Sequence, residues 1–195
     1  MQKAYLKNLK KLTQFWEQGN PDEIHHFLIS KGFSPRKNLN MLDIGCGSGR
    51  DAGWATNLGA KVVAVDILPE MLKVAQESHP DPTIKWICDT LPEISKVSGR
   101  FDVILISGVW QHLLPIERKK SLIKLETLLS KKGVIYISLR LGEPDLERCM
   151  LKVSLRELYT MIKNTNLKIL DISCVNKDFL NRNNVAWQSV LLTKN

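Results

Sequence analysis

Residues 41–66, MLDIGCGSGRDAGWATNLGAKVVAVD, restrict the fold of this chain more than any other stretch. An apolar run ends at Ile44 and gives way to Gly45, Gly47 and Gly49. A helix-length segment follows, and a β-branched run over residues 62–65 closes on Asp66. Strand, glycine loop, helix, strand and acid, in that order, make the first half of a nucleotide-binding α/β sheet. The glycines let the backbone turn tightly and approach a ligand, and an acid at the tip of the second strand can accept hydrogen bonds from both hydroxyls of a ribose.

The rest of the chain extends this alternation. Leu6, Leu9, Leu12, Phe15 and Trp16 recur at helical spacing against Lys3, Lys7, Lys10 and Lys11, which predicts an amphipathic helix over residues 5–16. Asn20-Pro21-Asp22-Glu23 starts a second helix that runs to about Lys31, and residues 33–40 form a connector. Beyond Asp66, Pro69 and Glu70 open a helix over residues 68–78, and residues 83–88 form a short strand ending at Asp89. Residues 91–97 read as a loop or short helix. The apolar run over 101–106 predicts a strand buried on both faces. A long amphipathic helix over 115–129, stopped near Gly133, leads to a strand over 134–139 and a polar insertion at Gly142-Glu143-Pro144-Asp145. Ser154, with Glu157 three residues on, predicts a capping box for a helix reaching about Asn164. Strands over 167–175 and 187–193 close the chain. Such alternation implies a mainly parallel sheet covered by helices on both faces.

At 195 residues the chain is expected to be one domain: a helical cap over residues 1–37 and an α/β core over 38–195. The net charge of +8 comes from two segments, four lysines without an acid in residues 1–12 and six basic residues against Glu117 and Glu126 in residues 115–133. Such faces either attract nucleic acid, anionic lipid or acidic protein, or are simply solvated. The four cysteines, Cys46, Cys88, Cys149 and Cys174, form no CxxC pair and sit near no histidine cluster, so neither zinc nor a disulfide framework is expected. The N-terminus has no apolar leader core, and no apolar run approaches the ~18 residues of a membrane span. A cytoplasmic protein is expected.

Two ligand classes compete for the glycine loop. A dinucleotide site calls for G-x-G-x-x-G, and here Arg50 stands at the sixth position. What stands instead, Asp43-Ile44-Gly45-Cys46-Gly47-Ser48-Gly49, resembles motif I of the class I methyltransferases that use S-adenosylmethionine (SAM). The resemblance covers roughly residues 38–140. It implies a Rossmann-like α/β fold, a seven-stranded, mainly parallel sheet of order 3-2-1-4-5-7-6 with the last strand antiparallel, and SAM as cofactor.

The resemblance also implies the site. Gly45, Cys46, Gly47 and Gly49 would lie beside the methionine portion of SAM, with Asp43 organising the loop and its ammonium contacts; alternatively Asp43 only satisfies loop amides. Asp66 would hold the ribose hydroxyls, with Ile67 and Met71 on the adenine side. Asp89, followed by Thr90 and Leu91, matches the position near the adenine amino group, or else caps a turn. Ser107 and Gly108 open the loop after strand four, which borders the reactive methyl. In that loop His112 either takes a proton from the acceptor or packs and orients. Trp110 either rests its ring on acceptor or sulfonium, or belongs to the core. Arg140 either binds an acidic acceptor or pairs with a carboxylate such as Glu143. Arg50 pairs locally. Methyl transfer from a sulfonium needs alignment and exclusion of water, with no metal and no covalent nucleophile. The expected activity is methylation of a small-molecule acceptor. Two alternatives stay open: an RNA or protein methyltransferase using the basic surface, and a non-catalytic SAM- or partner-binding module.

Overall fold

The computed structural model describes residues 22–178 and 182–195; the helix expected over residues 5–16 lies outside them. In chain order the elements are α1 (Asp22–Ser30), β1 (Asn40–Ile44), α2 (Arg50–Asn57), β2 (Lys61–Asp66), α3 (Pro69–Ser78), β3 (Lys85–Cys88) and β4 (Phe101–Ile106). A 3-10 turn (Trp110–His112) follows, then α4 (Pro115–Leu128), β5 (Leu129–Gly142), α5 (Leu155–Ile162), β6 (Leu167–Ile172), β7 (Asn176–Lys177) and β8 (Val185–Lys194).

The sheet order is β3-β2-β1-β4-β5-β8-β6, with β7 also pairing β8. The first five strands pair in parallel, and β8 runs antiparallel to β5, β6 and β7. This is the expected Rossmann-like order with one extra short strand. Strand alternation divides the apolar side chains between two faces. Leu42, Ile44, Ile104, Ile106, Ile135 and Ile137 pack with Leu122 and Leu125 of α4 and Leu158 and Ile162 of α5. Met41, Val62, Ala64, Val103, Leu105 and Tyr136 pack with Leu28 of α1, Ala52 and Ala55 of α2, and Leu72 of α3.

Three sequence expectations shift. The strand expected over 134–139 starts at Leu129, directly after α4. There Leu129 pairs with Phe101 before a register shift carries the ladder to Val103↔Val134, and Ser130 Oγ donates to Asp102 Oδ1 at 2.8 Å to hold the irregular part in place. The capping box at Ser154 is half formed. Ser154 Oγ accepts from the Glu157 amide at 3.1 Å, but the Glu157 carboxylate accepts from Arg118 Nη1 at 2.8 and 2.9 Å, and a charge-assisted bond outcompetes a reach back to a backbone amide. The strand expected over 167–175 breaks at Ile172 and resumes as β7, opposite Trp187 and Ala186 of β8.

β1 connects outward to β2 while β4 lies on its other side, so the strand order reverses between β1 and β4, although the two strands run parallel. In an open α/β sheet a ligand crevice forms at that switch point, beyond the carboxyl ends of the strands.

Candidate active site

A cavity of about 370 Å³ occupies that position, within the size range of about 300–1,000 Å³ typical of ligand sites. Its lining begins with the segments that follow the strand tips: Gly45–Ser48 after β1, Asp66–Leu68 after β2, Asp89–Leu91 after β3, and Ser107–Leu113, apart from Trp110, after β4. Met71 of α3 and Ile24 of α1 also line it. No group of three or more His, Cys, Asp or Glu side chains among the described residues is arranged to hold a metal ion.

The glycine loop is shaped by contact as well as by freedom. Gly45 has φ +73°, and a Cβ added there would overlap Val109 Cγ2 of the loop after β4. Only a residue without a side chain lets the two loops approach across the cavity floor. Gly108 (φ +68°) faces open space within 4 Å, and its amide donates to Ser138 Oγ at 2.7 Å.

Asp66 is anchored at the tip of β2: Oδ2 accepts from the Gly47 amide at 3.1 Å and Oδ1 from the Leu68 amide at 2.9 Å. An ionised carboxylate offers about four lone-pair directions, so acceptor capacity toward the cavity remains. Burial raises its pKa, and the Leu68, Gly47 and Ile67 amides oppose that rise. Asp43, 2% exposed, accepts from the Ala52 amide, while its Oδ2 has no hydrogen-bond partner among the described residues. Burial, then the neighbouring Asp51, pushes Asp43 well above the usual carboxylate range, against the pull of Arg50. Asp51 behaves oppositely: burial works against its charge, but the hydrogen bond from His25 Nε2 (3.0 Å) and the Arg50 guanidinium (3.2 Å) hold its pKa low. His25 itself stacks on Trp54 at 3.6 Å, which fastens α1 beside the cavity. Three buried acids and one arginine thus surround the loop, an environment that favours a positively charged ligand group. Burial also raises the Cys46 thiol, with Asp43 and Asp66 adding to the effect, so this sulfur is no nucleophile at neutral pH.

At the β3 tip, Asp89 Oδ1 accepts from Thr90 N at 2.8 Å and Oδ2 from Lys96 N at 2.7 Å, so the carboxylate shapes the turn as well as facing the cavity. In the loop after β4, His112 Nδ1 lies 3.2 Å from the Cys149 carbonyl. A carbonyl only accepts, so Nδ1 carries the proton and Nε2 is the basic nitrogen. Burial lowers the pKa of His112, and the Arg148 and Arg140 charges lower it further, so the imidazole is neutral at pH 7.

Two expected acceptor contacts fall elsewhere. Trp110 is 1% exposed and packs in the core among Leu113, Leu122 and Leu125. The apolar ring turns inward, and its carbonyl is held by Arg118 Nε at 3.1 Å. Arg140 is buried and does not line the cavity. Its Nη1 donates to the Glu143 carbonyl at 2.8 Å, which replaces the ion pair anticipated with that residue.

From sequence, the acceptor pocket is expected to draw on the N-terminal helices, the loop after strand four and the insertion over residues 140–150, and Gln111, Arg148 and Met150 of the far wall come from the last two. The sequence reading missed the rest of that wall: Tyr136 and Ser138, with Asn176, Lys177, Asp178, Arg182, Trp187 and Ser189 from the C-terminal strands and their connection. The available signal was polar interruption of apolar strands: Tyr136 and Ser138 in β5, and Trp-Gln-Ser in β8. Tyr136 Oη and Ser189 Oγ are 2.7 Å apart across the β5–β8 pair.

With a switch-point cavity built from these segments, comparison with known proteins decides the family: the model of the family described as a methyltransferase domain matches residues 42–137. Residues 42–137 are a methyltransferase domain of the class I SAM-dependent kind. Among the members of this family, the ubiquinone biosynthesis O-methyltransferase of Pelagibacter ubique is 33% identical to it over 118 residues, 59% of this chain and 48% of that protein. The ribosomal protein L11 methyltransferase of Pelobacter propionicus is 38% identical over 108 residues, 54% of this chain and 33% of that protein. The chain therefore spans about half or less of the curated relatives it matches. A TehB-like SAM-dependent methyltransferase from Corynebacterium glutamicum shares the fold, with a TM-score of 0.71 and 20% identity over 97% of this chain and 99% of that one.

The cavity fits the methyltransferase cofactor by its own chemistry. SAM carries a sulfonium, an ammonium and a ribose diol. The unpartnered Asp43 oxygen lies buried beneath the glycine loop, where a nearby cation would relieve the mutual repulsion of Asp43, Asp51 and Asp66. The Asp66 carboxylate, fixed by two amides, retains acceptor directions suited to a diol.

Proposed function

We propose that this chain transfers the methyl group of SAM to a small-molecule acceptor. The observation that carries the reading is that one cavity is lined by Asp66 and Asp89, by the glycine loop and Gly108, and by His112. Asp66 would hold the ribose hydroxyls, Ile67 and Met71 the adenine faces, and Asp89, Thr90 and Leu91 its edge. Gly45, Cys46 and Gly47, which line the cavity, would accommodate the methionine portion by their backbone, with Gly49 outside the lining at the start of α2 and the buried Asp43 favouring the ammonium. When bound, SAM supplies an electrophilic methyl whose carbon–sulfur pair of electrons leaves with sulfur as a neutral thioether, while an acceptor lone pair forms the new bond. The protein aligns the acceptor through the loop after β4 and shuts out water. His112 Nε2 takes the proton that a hydroxyl or amine acceptor must lose, and the Nδ1–H bond to Cys149 keeps the ring in the tautomer that can do so.

A small acceptor is favoured because the far wall is assembled from short local pieces, the 3-10 turn, residues 143–150 and β7–β8, with the acceptor end inside the same cavity. The basic residues of α4, which invited a nucleic-acid reading, do not line it. No described helix is long and apolar enough to cross a membrane, and the four cysteines are free thiols; together these support a cytoplasmic setting.

Calorimetric titration of SAM and S-adenosylhomocysteine tests the reading, with Asp66→Ala as control, followed by an acceptor screen with radiolabelled methyl. Loss of hydrogen bonds to a charged group is worth about 1.5–3 kcal/mol, roughly a 10- to 150-fold weaker affinity for the variant. Folded wild-type protein that binds neither compound would end the methyltransferase reading.

A further inference from the structure

The cavity is electrostatically polar. Asp43, Asp51, Asp66 and Asp89 gather at the strand tips of β1–β3. The opposite end carries Arg148, Lys177 and Arg182 on its lining, with Arg140 buried nearby. The acids at that end are already engaged. Asp178 accepts from Arg182 Nε at 2.8 Å, from Arg182 Nη2 at 2.6 Å and from Trp187 Nε1 at 2.8 Å. Asp145 lies 3.7 Å from Arg148 Nη1. No carboxylate among the described residues is within ion-pair distance of Lys177 or Arg140. Two carboxylates therefore face four cations, and the balance is positive around His112. A cleft lined by charge of one sign focuses such a field, and because Arg148 and Lys177 reach solvent the field weakens as salt rises.

We infer that the acceptor end of the cavity, bounded by Arg148 and Lys177 with Arg182 fixed behind by Asp178, is an anion subsite, and that the acceptor is a small molecule bearing a carboxylate or phosphate. This rests on the methyl-transfer reading for its meaning, but not for its measurement. An anionic acceptor is drawn toward the basic end and away from the acidic loop. The anion then seats on the cations while the nucleophilic hydroxyl or amine faces the His112 side. Arg148 and Lys177 select the acceptor, whereas Arg182, tied to Asp178 and the Trp187 indole, keeps the wall in shape. A neutral molecule of the same outline gains nothing from this arrangement.

The test titrates benzoate, phenyl phosphate and the neutral benzamide into the protein by calorimetry, each with and without saturating S-adenosylhomocysteine. Benzoate or phenyl phosphate is expected to bind at least tenfold more tightly than benzamide, and the tighter of the two identifies the anion as carboxylate or phosphate. The double variant Arg148→Met/Lys177→Met, which alters side chains open to solvent, is expected to erase that preference while changing S-adenosylhomocysteine affinity less than twofold. Equal affinity for all three probes, or a preference that survives in the double variant, overturns the anion subsite. Absence of S-adenosylhomocysteine binding counts against methyl transfer alone, because the anion preference is read in its absence as well.

Discussion

Replacing Gly45 by alanine tests the packing that sets the distance between the two loops of the cavity floor. Two costs follow from the structure. Gly45 has φ +73°, and placing an L side chain in the left-handed region costs about 1–2 kcal/mol. The new Cβ would also overlap Val109 Cγ2, and relieving such overpacking typically costs about 1–3 kcal/mol. Gly45→Ala should therefore lose roughly 2–5 kcal/mol of unfolding free energy. Only the second cost depends on Val109. In Val109→Ala the γ-methyls are gone and the nearest remaining atom, Val109 Cβ, lies 3.5 Å from the added methyl, an ordinary van der Waals contact. Val109→Ala alone loses about 1 kcal/mol for its partly buried methyls. The double variant should be more stable than the sum of the two losses allows, by about 1–3 kcal/mol. Urea unfolding of the four proteins in a double-mutant cycle measures that coupling directly. Losses that add to within about 0.5 kcal/mol would refute the claim that Val109 over Gly45 fixes the loop spacing.

Three further outcomes are expected. Arg118, fully buried, ties α4 to α5 through Glu157, to the Lys152 carbonyl and to the Trp110 carbonyl. Arg118→Met should cost about 2–3 kcal/mol in urea unfolding, below the ~3–5 kcal/mol of a fully buried broken pair because Glu157 keeps some contact with water; a loss under about 1 kcal/mol would deny it this role. His112 has its pKa lowered by burial and by Arg148 and Arg140, so the base form persists below the ordinary value near 6.5. The turnover rate should stay level from about pH 8 down to about 6.5 and decline only below it, and His112→Gln should be slow without that acid limb; an identical limb in the variant assigns the proton transfer to another group. Burial opposes ionisation of Asp178, but Arg182 and Trp187 bring its pKa down to about 2. Because the folded value lies below the unfolded value of about 3.9, its stabilisation is complete above about pH 4 and is lost as pH falls toward 2. Unfolding free energy measured between pH 5 and 2 should drop less steeply in Asp178→Asn, and equal slopes would contradict the assignment.

The half of the fold built by consecutive parallel units was legible because its signals are local. The run into Gly45, the acid at Asp66 and the apolar span of β4 each encode a strand, a turn and a cavity edge within a few residues. The acceptor wall was not, because it depends on pairing between distant segments. Lys177 reaches the cavity only because β6 breaks at Ile172 and β7 re-pairs with β8, with Asn176 opposite Trp187. Tyr136 meets Ser189 only through the antiparallel β5–β8 register that sets Tyr136 against Leu191 and Ser138 against Ser189. A shift of one residue in that ladder would turn each of these side chains to the other face. Trp110 and Arg140 misled for the same reason: each lies beside the cavity in sequence, yet burial of the indole and capping of the guanidinium by the Glu143 carbonyl turn both away from it. On the proposed reading, cofactor recognition resides in loops that the chain specifies locally, whereas acceptor recognition resides in the register of β5, β7 and β8 and in the insertion after β5 that carries Arg148. On that reading, two chains with the same glycine loop and the same strand-tip acids would differ in acceptor wherever these segments present different side chains, which here are Arg148, Lys177 and the Asp178–Arg182 pair.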